Sequence, residues 1–286
     1  MGTAGTGKSY LIRAIRERLR AMSGNSSQSP VLVIAPTGVV AFNINGSTIH
    51  STLSIPIFNN KKFDLESSRL KQLQEKLQNV KYLIINEKSM VGRRMIALID
   101  MRLRQAVPEI NNEPFGGISI IMFRDFGQLP PVLDLLMYTN NMTRNITSNS
   151  GIATYKNFRE VYKLEVIQRQ SGESEAQKSF RDILLRLREG DSTIEDWKIL
   201  ATRFEDKLSR IERDRFSDAT FILSKWNDVD RVNIEKLTSL NRLVAKIQAI
   251  HTGGSEAKRA DSDVANGLES LLLLAKGSRV MLTANL

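Results

Sequence analysis

The sequence has no cysteine and two histidines, His50 and His251. A chain without cysteine forms neither disulfides nor thiolate metal sites, and this weakly favours a reducing compartment. Two histidines argue against a histidine-rich metal site. No apolar run approaches the roughly 20 residues that a membrane-spanning helix needs, and no basic-then-apolar secretory leader opens the chain. We therefore expect an intracellular protein without a membrane partner.

Positive charge, in contrast, is in excess. The 286 residues include 41 Lys and Arg against 31 Asp and Glu, which gives a formal net charge of +10. A surplus of this kind fits a polyanionic partner such as nucleic acid. A basic but unspecialised surface would explain the charge equally well. The length allows one large domain or two medium ones.

Short apolar runs alternate with segments of helical periodicity along the chain. Buried strands are predicted at residues 31–35, 82–85, 118–123, 220–223 and 279–282, and helices at 9–22, 70–77 and 180–187. Polar surface connections are predicted at 23–29, 137–151 and 251–265. This alternation predicts the α/β class, with a mainly parallel sheet covered by helices on both faces.

Residues 2–9 match the pattern G-x-x-x-x-G-K-[ST] of a phosphate-binding loop. In such a loop, glycines bring backbone N–H groups against phosphate oxygens, the lysine reaches the β- and γ-phosphates, and the hydroxyl ligates Mg²⁺. The candidate nucleotide-binding residues are Gly2, Gly5, Thr6, Gly7, Lys8 and Ser9. A glycine-rich turn that matches by accident is the alternative. The strand that should precede the loop is absent, so we expect an N-terminally shortened sequence.

The strand at 82–85 is followed by Asn86 and Glu87. A phosphate-loop ATPase needs an acid here to hold the Mg²⁺ shell and a second one to activate water. Glu87 suits the second task, or is a solvated charge at a strand end. Asn86 stands where Asp is expected, and an amide contributes no charge to a site whose catalysis is mostly electrostatic.

Six stretches together resemble the PIF1-like helicases, the 5′-to-3′ branch of superfamily 1 that is related to RecD. They are residues 2–9, 35–51, 86–90, 123–132, 164–170 and 276–285. The Thr-Ile-His of 48–50 and the Gln-Leu-Pro-Pro-Val of 128–132 are the specific elements. The latter, with the Gln-Arg-Gln of 168–170, also argues against another phosphate-loop class such as a nucleotide kinase.

The resemblance implies roles for individual residues. Glu87 would be the catalytic base, Gln128 would sense the γ-phosphate, and Arg169 would act as an arginine finger unless it is a plain surface arginine. Ser9 and Asn86 would hold Mg²⁺. Candidates for contact with single-stranded DNA are Thr37, Gly38, Thr48 and His50, although His50 could instead be a buried, hydrogen-bonded histidine.

The resemblance also implies an architecture. A RecA-like ATP-binding domain would span residues 1–160, and part of a second RecA-like domain would span 161–286. An insertion near 53–66, with Phe58, Lys61, Lys62 and Phe63, would be a strand-separating element or a plain basic loop. ATP and Mg²⁺ are the expected cofactors, and single-stranded DNA and duplex junctions the expected partners. Protein partners are not indicated.

Departures from the family pattern lower the activity that we expect. Asn86 replaces an Asp, Arg124 replaces a residue that is usually Gly, and the chain stops at Leu286 before two further motifs. From the resemblance we still expect an ATP-driven helicase in DNA repair, recombination or telomere maintenance. The alternative is a degenerate or fragmentary copy that binds nucleotide or DNA with little turnover. The family fits a nucleus or mitochondrion, but we find no targeting signal.

Overall fold

The computed structural model describes residues 1–24, 29–56, 65–125, 127–252, 254–259 and 269–280. The chain divides into two compact units, Met1–Trp197 and Lys198–Leu286. The boundary between RecA-like domains near residue 160 stays a prediction. Within the described ranges, no helix is long and apolar enough to cross a membrane.

A four-stranded parallel sheet forms the centre of the first unit. Its strands are β1 (Val31–Ala35), β2 (Ser47–Thr48), β3 (Tyr82–Ile85) and β4 (Ser119–Met122), in the order β2-β1-β3-β4. In register, Val33 pairs with Ile84, and Ile84 pairs with Ile121. The strands predicted at 31–35, 82–85 and 118–123 and their parallel arrangement are confirmed.

Eight helices belong to the described part of this unit, the last of them crossing its boundary. They are α1 (Lys8–Met22), α2 (Gly38–Asn43), α3 (Ile49–Leu53), α4 (Ser67–Leu77), α5 (Arg93–Ala106), α6 (Ile146–Tyr155), α7 (Glu175–Glu189) and α8 (Ile194–Ala201). The helices predicted at 9–22, 70–77 and 180–187 correspond to α1, α4 and α7. The predicted connection at 137–151 is wrong over 146–151, because α6 begins at Ile146.

Helices cover both faces of the sheet, as predicted. Successive side chains of a strand point to opposite faces, and Ile84 accordingly packs in one cluster while Leu83 and Ile85 pack in another. The first cluster also contains Ile12 of α1 and Ala41 of α2. The second is completed from α3, α4 and α5 by Leu53, Leu73, Leu77, Ile96, Ile99 and Leu103. The carboxyl ends of the strands are thus held between two apolar layers.

The second unit contains α9 (Arg210–Asp214), α10 (Trp226–Ser239), α11 (Gly254–Arg259) and an antiparallel pair, β5 (Val244–Gln248) and β6 (Leu271–Ala275). The strand predicted at 220–223 is wrong, since these residues are irregular. Residues 279 and 280 are irregular too, and 281–282 lie outside the described residues. The predicted connection at 251–265 contains α11. The strands β5 and β6 were not predicted.

Two further predictions fall partly outside the described residues. The loop predicted at 23–29 includes 25–28, and the insertion predicted near 53–66 includes 57–64, with Phe58, Lys61, Lys62 and Phe63. Of its described residues, Leu53 ends α3, whereas 54–56 and 65–66 lie outside helices.

Candidate nucleotide and DNA site

The phosphate-loop sequence forms a tight turn that leads directly into α1. Gly5 and Gly7 have φ of +82° and +84°, a conformation that costs glycine little. Lys8 is buried, and its Nζ donates to the carbonyl oxygens of Gly2 (3.0 Å) and Thr3 (2.9 Å). The ammonium group therefore lies inside the turn. Thr6 Oγ1 donates to the same Thr3 carbonyl (2.9 Å), and Ser9 is exposed in the first turn of α1.

The surroundings of Lys8 bring several predicted residues together. Burial lowers the pKa of the Lys8 ammonium, the carboxylates of Asp125 and Glu87 raise it, and the guanidinium groups of Arg188 and Arg169 lower it. Lys8, Glu87 and Arg169 were predicted from the sequence. Asp125 and Arg188 were not singled out, and the structure adds them to the site.

The segment around residues 164–169 is attached to the phosphate loop at two points. Leu164 N–H donates to the Met1 carbonyl (2.6 Å), and Leu164 pairs with Gly2 in a parallel bridge. The Gly5 carbonyl accepts from the N–H groups of Gln168 (2.8 Å) and Arg169 (3.0 Å). A Cβ atom at Gly5 would lie 2.9 Å from Arg169 Cβ. The backbone of Arg169 is therefore fixed against the loop, while its side chain is exposed.

Asn86 and Glu87 follow β3 directly. Asn86 is buried, and its N–H donates to the Ile34 carbonyl (2.9 Å). Glu87 has φ 54° and ψ 52°, a left-handed conformation that costs a non-glycine residue energy and is common at functional sites. Burial raises the pKa of the Glu87 carboxyl, nearby Lys8 lowers it, and Asp125 raises it. Its Oε2 is buried and has no hydrogen-bond partner among the described residues.

The segment after β4 lies beside Glu87 and Lys88. Lys88 N–H donates to the Phe123 carbonyl (2.9 Å). Arg124, which stands where the family usually has Gly, is buried and does not adopt a positive φ, so its backbone does not require glycine. Burial and, to a smaller extent, the charge of Arg124 together lower the pKa of Lys88 to about 7. Gln128 is exposed and lines a small pocket together with Lys88 and Arg124.

Asp125 connects this segment to α7. Its carboxylate is almost fully buried, and Oδ1 accepts from Arg188 Nη1 (2.5 Å) and from Gly127 N–H (3.1 Å). Arg188 lies 63 residues away in the chain, so no local sequence pattern identifies the pair. Asp125 could have been noticed, because it stands inside the stretch 123–132.

The residues near the phosphate loop fit a Mg²⁺ ion only in part. Magnesium prefers oxygen ligands and is usually held by one or two carboxylates together with substrate phosphates and water. Ser9 offers an exposed hydroxyl and Glu87 an unpartnered carboxylate oxygen, but Asn86 offers a neutral amide. No group of three or more His, Cys, Asp or Glu that could hold a metal occurs among the described residues. Such a site would depend on the phosphates of a bound nucleotide.

The four candidate DNA contacts lie at the carboxyl ends of β1 and β2, where Ala35 pairs with Thr48. Thr37 caps α2 by accepting from Val40 N–H, and Thr48 caps α3 by accepting from Ser51 N–H. Gly38 is exposed in the first turn of α2. These residues therefore share one edge of the sheet.

Two further side chains distinguish this edge. Phe42 of α2 is 80% exposed, which makes it an available stacking surface that sequence reasoning did not single out. His50 is half-buried, burial lowers its pKa, and its ring has no hydrogen bond among the described residues. The alternative of a hydrogen-bonded core histidine is therefore not supported.

Comparison with known proteins identifies relatives of this chain. A family model described as PIF1-like helicase matches residues 1–198. The ATP-dependent DNA helicase PIF1 of Saccharomyces cerevisiae is 29% identical over 292 residues, which cover 100% of this chain and 31% of that protein. The ATP-dependent DNA helicase Pif1 of a Psychrobacter species is 39% identical over 133 residues, which cover 46% of this chain and 19% of that protein.

Solved structures show the same fold. The crystal structure of Pif1 helicase from Candida albicans matches with a TM-score of 0.71 and 27% identity, covering 96% of this chain and 58% of that chain. An unliganded Pif1 from Bacteroides matches with a TM-score of 0.56 and 26% identity. The present chain thus spans less than two thirds of the relatives and structures that it resembles.

Proposed function

Because the chain belongs to the PIF1-like helicase family, we propose that it is an ATP-dependent DNA helicase motor. It binds ATP and Mg²⁺ at the phosphate loop and couples hydrolysis to 5′-to-3′ movement along single-stranded DNA and to opening of duplex junctions. The observation that carries this proposal is the phosphate-loop turn, which holds the Lys8 ammonium at the Gly2 and Thr3 carbonyls and is bonded to the backbone of Arg169. DNA repair, recombination or telomere maintenance, in a nucleus or mitochondrion, are the settings that we propose.

Each residue near the loop has a defined task in this proposal. Lys8 exchanges its two carbonyl partners for the β- and γ-phosphates of ATP. Glu87 orients the attacking water and accepts its proton at Oε2, a task that the unpartnered position of this oxygen supports. Arg169 and Gln128 contact the γ-phosphate, and Arg169 stabilises the charge that develops during transfer.

A bound Mg²⁺ would neutralise phosphate charge and orient the phosphate chain. Ser9, through its hydroxyl, and Asn86, through its amide oxygen, are the residues that would hold it. Because Asn86 brings no charge, the ion would be held more weakly than by a carboxylate at the same position.

The DNA strand follows the sheet edge that carries Thr37, Gly38, Thr48 and His50. Backbone N–H groups and hydroxyls at the starts of α2 and α3 suit phosphate oxygens. The exposed ring of Phe42 suits base stacking, which is sequence-tolerant. The net charge of +10 supports an electrostatic contribution to binding.

Nucleotide binding and DNA-stimulated ATP hydrolysis test the proposal. In Lys8→Ala, the affinity for a fluorescent ATP analogue should fall about tenfold or more, because a charge-assisted contact to phosphate is lost. The matched control is Lys71→Ala, which removes an exposed lysine of α4 and should leave affinity unchanged. Equal affinity of Lys8→Ala and the unaltered chain would contradict the assignment of residues 2–9 as a phosphate-binding loop.

A second candidate function is a degenerate copy that binds nucleotide or DNA with little turnover. The neutral Asn86 at the expected Mg²⁺ position favours it. Robust hydrolysis stimulated by a single-stranded oligonucleotide, together with unwinding of a tailed duplex, would rule this candidate out. Lys8-dependent nucleotide binding without DNA-stimulated hydrolysis would establish it instead.

A further inference from the structure

A small pocket of about 120 Å³ lies at the end of β3, next to the residues assigned to the nucleotide. Its polar lining consists of groups that can donate hydrogen bonds, namely Lys88, Ser89, Arg124, Gln128 and Tyr138. Apolar side chains of Val91, Pro130, Leu136 and Met137 complete the wall. Over the described residues, neither Asp nor Glu contributes to this lining. The pocket therefore suits an anion better than a cation.

Two of the lining residues are buried basic side chains. Lys88 is 8% exposed and Arg124 is 3% exposed. Lys88 Nζ lies 3.2 Å from the hydroxyl of Tyr155 and 4.3 Å from the centroid of its ring. Arg124 Cζ lies 5.8 Å from the ring centroid of Tyr138. Both basic side chains thus lie beside aromatic rings, which attract cations.

The two carboxylates near this pair also interact with other basic groups, and Asp125 attracts Arg124 as well. Asp125, the neighbour of Arg124, accepts from Arg188 and from Gly127 N–H through Oδ1. Glu87 interacts with Lys8. Among the described residues, five basic side chains thus lie near the two carboxylates of Glu87 and Asp125, namely Lys8, Lys88, Arg124, Arg169 and Arg188. A bound anion beside Lys88 and Arg124 would balance this surplus.

Ser89 supplies an independent sign that a polar ligand belongs here. Ser89 lines the pocket, and its Oγ is buried with no hydrogen-bond partner in the described part of the chain. A buried hydroxyl without a partner is uncommon in folded proteins and costs free energy. An oxygen of a bound anion would satisfy it.

We propose that this pocket is a second oxyanion site, which binds a tetrahedral phosphate group through Lys88, Arg124 and Ser89. The site is separate from the phosphate loop and uses side chains rather than backbone N–H groups. Its phosphate is either free orthophosphate, the product of ATP hydrolysis, or a phosphate of a DNA strand. The proposal concerns anion binding alone and does not depend on the chain hydrolysing ATP.

The test uses the full chain carrying Lys8→Ala, so that the phosphate loop contributes little. Broadening of the ³¹P NMR signal of inorganic phosphate measures binding to the protein. We expect broadening with Lys8→Ala, and a drop of about tenfold or more in affinity when Arg124→Gln or Lys88→Gln is added. Arg144→Gln, at an exposed arginine, is the matched control and should change nothing. Thermal unfolding of each variant confirms that it is folded.

No broadening with Lys8→Ala, or equal broadening after either pocket substitution in a folded variant, would overturn the proposal. Because two pocket variants are used, loss of folding in one leaves the other to decide. Adding an oligothymidylate then identifies the source of the phosphate. Displacement of inorganic phosphate by the oligonucleotide assigns the site to DNA, and unchanged broadening assigns it to free phosphate; both results support an oxyanion site.

Discussion

Asn86 leaves the end of β3 short of one negative charge, and its neighbours do not replace it. Glu87 has a pKa that burial raises, and Asp125 is bonded to Arg188. The amide at residue 86 is itself buried. The expected consequence is weak Mg²⁺ binding and slow hydrolysis, because phosphoryl transfer depends on positioned charge.

Restoring the charge should therefore raise activity. Asn86→Asp is expected to increase the rate of Mg²⁺-dependent ATP hydrolysis about tenfold or more, by strengthening metal binding where charge develops. Phosphate release at several Mg²⁺ concentrations measures the effect. Asn233→Asp adds the same charge at an exposed position of α10 and should have no effect. An unchanged rate and an unchanged Mg²⁺ requirement in Asn86→Asp would contradict this account.

At this scale the sequence predicted much of the site but not its long-range partners. Lys8 and Glu87 each stand in a local pattern with a chemical reason, and the structure brings them together. Asp125 and Arg188 form an ion pair across 63 residues. Such a pair depends on where α7 packs, and no spacing rule encodes that position. The burial of Arg124 likewise depends on tertiary packing and could not be predicted from the local sequence.

At the scale of elements, the contact between the phosphate loop and residues 164–169 leaves no room for a side chain at Gly5. Gly5 and Gly7 share a positive φ, but only Gly5 lies against another segment, with a Cβ distance of 2.9 Å to Arg169. A Cβ atom at Gly7 would have no neighbour within 4 Å among the described atoms. A substitution at Gly7 would therefore cause backbone strain alone, whereas one at Gly5 would cause backbone strain and a steric clash.

Alanine substitutions exploit this difference. Gly7→Ala should lower stability by about 1–2 kcal/mol, the cost of a left-handed alanine. Gly5→Ala bears the same cost plus the clash with Arg169, so it should lower the melting temperature by several degrees more. Differential scanning calorimetry without nucleotide compares them. Equal melting temperatures would show that Arg169 does not pack on the loop as described.

A capping box fixes the start of α8. Thr193 Oγ1 accepts from Asp196 N–H (3.1 Å), and Thr193 N–H donates to Asp196 Oδ2 (3.0 Å). Arg186 donates to both carboxylate oxygens of Asp196, from Nε (2.8 Å) and Nη2 (2.6 Å). These bonds join the end of α7 to the start of α8.

Asp196→Asn should therefore lower the melting temperature at neutral pH. Hydrogen bonds from Arg186 and then from Thr193 hold the pKa of Asp196 below its usual value. The stabilisation is present above the unfolded pKa of about 4 and is lost as pH falls through the lower folded pKa. The difference between the chain and Asp196→Asn should shrink below about pH 4. Asp191→Asn is the control, and a gap that stays constant in acid would contradict the linkage.

The predicted and missed elements differ in what their neighbours provide. Strands β1, β3 and β4 are continuous apolar runs that lie next to one another, so local pattern and tertiary pairing agree. Residues 220–223 are equally apolar but have no strand partner in the described part of the chain. Helix α6 escaped notice because its composition is polar, while its packing on α5 is close, with Gly151 against the Arg93 carbonyl. The lack of a strand partner for 220–223 and the packing of α6 on α5 cannot be predicted from the sequence of either segment alone.

For the whole molecule, the buried apolar core is unevenly distributed. The first unit holds two clusters around its sheet. In the described residues of the second unit, no hydrophobic side chain is buried, and Ile222 (96%), Leu243 (96%) and Trp226 (73%) are widely exposed. Local stability follows buried apolar contact, so the two units should differ greatly in resistance to opening.

Amide hydrogen exchange should show this difference directly. Amides of β1, β3 and β4 should exchange slowly, near the rate of global unfolding, whereas those of β5 and β6 should exchange orders of magnitude faster. Peptide-level mass spectrometry on the intact chain measures both sets in one experiment. Comparable protection in the two sheets would show that the second unit has a stable core of its own.

The double attachment of residues 164–169 to the phosphate loop also has a thermodynamic consequence. Where two parts of a protein move together, coupling is reciprocal: any change of affinity caused at one by the other is returned by the same factor. If a nucleotide shifts the Gly5 carbonyl, it shifts the N–H groups of Gln168 and Arg169 bonded to it. Equally, tension applied along the chain beyond Arg169 would alter nucleotide affinity. This short segment would therefore couple mechanical load on the chain to nucleotide binding in both directions.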